Sequence, residues 1–95
     1  MDTNEIINRL QRVKPQLQRE YAVKSVGLFG SFADGTYTDK SDVDILVEFE
    51  RPVGVEFIDL SYLLEKTLTK KVDLVSRNGV KDRYFREIER SIVYV

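Results

Sequence analysis

The chain has 95 residues, which sets an expectation of one domain over residues 1–95, with a modest core and no room for a separate substrate domain. Its 15 Lys+Arg nearly balance its 16 Asp+Glu, so charge gives no argument for direct nucleic-acid binding. It has neither cysteine nor histidine, which excludes disulfides, zinc–thiolate sites, Ser-His-Asp hydrolysis and histidine general-base chemistry.

Ile6, Leu10, Val13, Leu17 and Tyr21 recur at steps of four, three, four and four, the apolar stripe of an amphipathic helix. Asp2 or Thr3 can cap its start, and Pro15 is expected to kink or restart it. The polar, acidic start does not read as a signal peptide, and no apolar run approaches the roughly 20 residues of a membrane span, so the expected location is the cytoplasm.

Ser25–Phe29 reads as a short buried strand running into Gly30-Ser31. Phe32–Gly35 has length for one helical turn, and Thr36–Ser41 reads as loop. Asp42–Phe49 alternates: Val43, Ile45, Val47 and Phe49 face one way, and Asp42, Asp44, Leu46 and Glu48 the other. Glu50–Gly54 breaks that strand. Phe57, Leu60, Leu64 and Leu68 form a second helical stripe, and Lys71–Val75 a third strand with Asp73 opposite Val72 and Leu74. Arg77-Asn78-Gly79 is a turn. Val80, Tyr84, Ile88 and Ile92 form a last helical stripe, and Ser91–Val95 favours an extended end. This order predicts an α+β (α/β two-layer) domain, a small mixed sheet with helices packed on it.

Asp42 and Asp44 lie two apart on a strand, so both carboxylates leave one face. Two anions held that close repel unless a cation sits between them. Mg²⁺ suits such a pair, because it takes one or two carboxylates and completes its octahedron with water and phosphate oxygen. Asp73 completes a triad if its strand neighbours that of Asp44, binding a second metal or taking a proton from an attacking hydroxyl. Taken alone, Ser-Asp-Val-Asp at a loop-to-strand junction is also ordinary turn polarity. Gly30 permits a sharp turn and close ligand approach, and Ser31 can offer its hydroxyl and N–H to a phosphate. Alone, this pair also reads as a helix cap. Jointly, a phosphate-holding turn and a metal-binding pair are the equipment of nucleotidyl transfer by in-line displacement.

Gly30-Ser31 followed after ten residues by Asp42-Val43-Asp44 resembles the signature of the DNA polymerase β-like nucleotidyltransferase superfamily. Val26–Ala33, Ser41–Phe49, Lys71–Val75 and the closing Val93-Tyr94-Val95 resemble its minimal branch. The resemblance implies a polymerase β-like nucleotidyltransferase fold and ATP as substrate. It implies Gly30 and Ser31 at the nucleotide phosphates, and Asp42, Asp44 and Asp73 as the catalytic, Mg²⁺-binding acids. It also implies an antitoxin that transfers AMP to a tyrosine of a HEPN-domain toxin. Apolar helix faces on so small a domain suit a homodimer or a hetero-oligomer with the toxin.

Asp34 departs from the family, which usually carries a basic residue there. A carboxylate close to the expected triphosphate would repel it or need another cation. That departure supports an alternative, a non-catalytic antitoxin that masks the toxin by contact and keeps a vestigial site. Thr69 stands where a Gly often precedes the third strand. Arg77 is a candidate basic contact.

Overall fold

The computed structural model describes residues Met1–Val95 as four α-helices packed on a four-stranded mixed sheet. The elements in chain order are α1 (Thr3–Glu20), β1 (Val23–Phe29), α2 (Ser31–Asp34), β2 (Val43–Phe49), α3 (Val55–Leu68), β3 (Val72–Ser76), α4 (Asp82–Glu89) and β4 (Val93–Tyr94). A 3₁₀ turn, Arg77–Gly79, joins β3 to α4. The spatial strand order is β3-β2-β1-β4. β1 pairs antiparallel with both β2 and β4, whereas β2 and β3, joined through α3, run parallel.

One face of the sheet carries the core. Val26, Leu28, Val43, Ile45, Val47 and Val72 bury there against Ile6, Leu10 and Leu17 of α1 and Leu60, Leu64 and Leu68 of α3. Fully burying each such side chain contributes about 1.5–3 kcal/mol. This explains why α1 runs on through Pro15 without restarting there, one of the two outcomes expected from sequence. A proline in a helix interior costs about 3 kcal/mol, and apolar residues on both sides of it are anchored in the same core. Asp2 caps α1, its carboxylate accepting from the Glu5 N–H at 2.9 Å.

The opposite face is thinly covered. Leu46 is buried there beside the acids, so this face has a small apolar patch of its own. A Cβ at Gly27 would overlap Ile92 Cδ1, so the absent side chain lets the chain before β4 lie close on β1. Helix α4 lies on this side, and none of its residues is buried. The stripe of Val80, Tyr84, Ile88 and Ile92 is therefore not core, as its spacing suggested, but a half-covered wall. The 3₁₀ turn pins α4 through Arg77, whose guanidinium stacks 3.7 Å from the Phe85 ring centroid and donates to Asp82 at 3.3 Å. Arg77, the candidate basic contact, is thus engaged with Phe85 and Asp82. No helix is long and apolar enough to cross a membrane.

Candidate active site

The parallel pairing of β2 with β3 sets Asp44 directly opposite Asp73, and the antiparallel pairing with β1 sets it opposite Phe29. Residues paired across adjacent strands project to the same face. Phe29, Asp44 and Asp73 thus form one row on the open face, with Asp44 in the middle. Asp42 precedes β2 by one residue and is exposed, outside the ladder. The aligned strand pair expected of Asp42 and Asp44 is therefore a strand residue with a loop residue beside it.

The row ends at the turn into α2. Gly30 caps that helical turn with φ 71° and ψ −151°, a conformation open to glycine and strained for other residues. A Cβ there would overlap Asp44 Oδ2 and lie 2.9 Å from Asp44 Cγ. Hence the Gly30-Ser31 backbone presses directly against the central carboxylate. The first N–H groups of a helical turn have no partner within the turn. The α2 turn is anchored from behind, because Thr3 Oγ1 donates to the Phe32 carbonyl at 2.6 Å. Buried Phe32 also stacks on Tyr37 with ring centroids 4.5 Å apart. Thr3 carried only a capping signal in the sequence, and nothing local there indicated its reach to residue 32.

Electrostatics bind the acids into one system. The carboxyl of Asp44 is raised above its ordinary range, first by burial and then by the nearby charges of Asp73 and Asp42. Asp42, Asp44 and Asp73 do not draw together into a ready-made three-residue metal site. The donor set still fits Mg²⁺: hard carboxylate oxygens, mutually repelling, with open space for water and phosphate to complete an octahedron.

Asp34 behaves differently from its position in the motif. It is exposed at the C-terminal end of α2, and its carboxylate accepts from the Thr36 N–H at 3.0 Å and the Thr36 hydroxyl at 2.6 Å. Those hydrogen bonds, the side-chain one foremost, hold it below the ordinary carboxylate range. Lys70 brings positive charge to this region, its ammonium 5.6 Å from the Phe32 ring centroid and 3.4 Å from the Asp39 carbonyl.

A groove of about 400 Å³ lies between the open sheet face and α4. Phe29, Asp73 and Val75 line it from the sheet, and Val80, Tyr84 and Ile88 from the other side. The sequence had shown these last three as a stripe, with no indication that it flanks the acids.

Comparison with known proteins places the chain beside nucleotidyltransferases. The family model described as a nucleotidyltransferase domain matches residues 10–95. The protein adenylyltransferase MntA of Thermococcus cleftensis is 39% identical over 96% of this chain and 93% of its own. A solved structure provisionally described as a minimal nucleotidyltransferase superposes with a TM-score of 0.86 at 31% identity, covering 98% of this chain and 95% of that one. The solved complex of an AMPylated HEPN toxin of Shewanella oneidensis with an MNT antitoxin contains a chain of the same fold, at a TM-score of 0.62 and 22% identity, over 97% of this chain and 66% of that one. The row of acids with a Gly-Ser turn pressed against its centre is thus set in the framework these proteins share, and the chain belongs to the nucleotidyltransferase domain family, in its minimal branch.

Proposed function

We propose that this nucleotidyltransferase is the antitoxin of a toxin–antitoxin pair, and that it transfers AMP from ATP to a tyrosine of a HEPN-domain toxin. The observation that carries the reading is the Phe29–Asp44–Asp73 row with Gly30 pressed on Asp44. Its likeness to a protein adenylyltransferase over nearly the whole chain supports AMP as the group transferred and a protein as the acceptor. The likeness in fold to an antitoxin complexed with an AMPylated HEPN toxin supports the choice of partner.

In this reading Gly30 and Ser31 hold the phosphates of ATP, the Ser31 hydroxyl and N–H pointing at the chain of phosphates. Asp42 and Asp44 hold Mg²⁺, with Asp73 completing the set. The metal supplies charge neutralisation at the phosphates during displacement. The tyrosyl oxygen attacks the α-phosphorus, an O–P bond forms, and the bond from that phosphorus to the pyrophosphate oxygen breaks. Asp73, on the edge of the row away from the Gly-Ser turn, accepts the phenolic proton. Pyrophosphate leaves on the opposite side, as in-line geometry requires. ATP as substrate and a protein as acceptor support a cytoplasmic location.

The alternative, an antitoxin that acts by contact alone, drew its support from Asp34. The engagement of that carboxylate with Thr36 weakens the argument, since the charge is solvated and already satisfied. Incubation of the purified chain with Mg²⁺, ATP and its HEPN partner should add one AMP mass to a toxin tyrosine, and Asp42→Asn should abolish the addition without unfolding the domain. Wild-type neutralisation of the toxin in cells by Asp42→Asn and Asp44→Asn, with no AMP on the toxin, would establish contact as the mechanism instead.

A further inference from the structure

We infer that the groove between the open sheet face and α4 is the channel through which the acceptor's aromatic side chain reaches the acids, with Tyr84 and Ile88 determining acceptor specificity. This rests on the reading of the chain as a protein adenylyltransferase.

Three observations converge. First, of the four cavities on the molecule, this is the one bordered by a residue of the acid row. The others lie at the Phe49–Arg77 end of the sheet, between α1 and α3, and beside Lys70 and Lys71. Second, the Gly30-Ser31 turn lies on the β1 side of Asp44 and Asp73 on the β3 side. In-line displacement needs the attacking and leaving oxygens on opposite sides of phosphorus. With phosphates held at the turn, the attacking hydroxyl approaches from the side of Asp73, which lines the groove. Third, the groove has the composition an aromatic acceptor requires. Phe29, Val75, Val80 and Ile88 give apolar walls, Tyr84 gives a ring for stacking, Asp73 is the carboxylate a phenol would meet, and Lys81 adds the one cation of the lining.

The exposure of the stripe fits this use. Tyr84 is 60% exposed, and Ile88 and Val80 are only half-buried, although their spacing is that of a core-facing helix. Leaving such residues uncovered beside a row of acids is costly unless something apolar occupies the space between them. A serine or threonine acceptor would leave these walls wet. A tyrosyl ring fills them and places its hydroxyl at the acidic end.

Steady-state AMP transfer to the HEPN partner, with ATP binding measured separately by calorimetry, tests the assignment. Tyr84→Ala should lower kcat/KM for the acceptor roughly five- to tenfold, through KM. Tyr84→Phe should restore it, because the ring and not the hydroxyl forms the wall. Ile88→Lys should lower it at least as far. ATP affinity should stay within about twofold of wild type throughout, which a general structural defect would not allow. Wild-type kcat/KM in both Tyr84→Ala and Ile88→Lys overturns the inference and leaves the proposed function intact. Should wild type transfer no AMP at all, the proposed function fails first. The groove is then tested by NMR titration with N-acetyl-tyrosinamide: amide shifts centred on Val80, Tyr84 and Ile88 uphold it as an aromatic site, and shifts elsewhere or none overturn it.

Discussion

Gly30 and Asp44 are packed so tightly that no Cβ fits between them. Gly30→Ala must therefore meet two penalties, a strained positive φ and an overlap with the central carboxylate. The first costs on the order of 1–3 kcal/mol, and the second is relieved only by displacing Asp44. AMP transfer is expected to fall by 10²-fold or more, on the order of losing a site donor. Thermal unfolding should show a folded but less stable domain. Full activity in Gly30→Ala would show that the turn and the carboxylate do not act as a unit.

Burial, Asp73 and Asp42 raise the Asp44 carboxyl above its ordinary value. A carboxyl whose folded pKa exceeds its unfolded one binds its proton more tightly in the native state. It contributes stability in acid, and that contribution is lost as pH rises through the folded pKa. At neutral pH the ionised Asp44 is thus a destabilising residue. Asp44→Asn should raise Tm at pH 7 while eliminating transfer, and the gain should vanish below the ordinary carboxylate range. A Tm at pH 7 that falls in Asp44→Asn contradicts this account. Mg²⁺ binding should tighten with rising pH across the same interval.

Thr69 closes α3 with φ 53° and ψ 33°, the left-handed region in which a β-branched residue is strained. Thr69→Gly should stabilise the domain by about 1 kcal/mol, measured by urea unfolding. No gain would mean that the Thr69 hydroxyl, which donates to the Leu68 carbonyl at 2.7 Å, offsets the backbone cost.

Asp34 is a solvated carboxylate occupied by Thr36. Exposed charges are well screened by water and salt. Asp34→Asn should therefore lower the KM for ATP by no more than about threefold, with kcat unchanged. A tenfold gain in ATP affinity would return Asp34 to the phosphate site.

The sequence was most readable where periodicity and local chemistry agree. The α1 and α3 stripes, the β2 alternation and the third strand carrying Asp73 lie where their spacing put them. Pro15 did not restart the helix, because local propensity carries no information about the core contacts that keep α1 continuous through it. The last stripe was legible as a helix but not in its placement: Tyr84 and Ile88 of α4, with Val80 before it, flank a sheet face that is left open. The Gly30-Ser31 and Asp42/Asp44 pairs were visible as a motif. That Asp44 would face Asp73 depends on strand register, which no window of the sequence contains.

That register has a temporal consequence. Asp44 and Asp73 are joined only when the whole β2–α3–β3 crossover has closed, a long-range parallel pairing of the kind that slows folding. The chain can begin to build its core well before it has a complete acid row. A complete acid row therefore marks a chain whose crossover has closed.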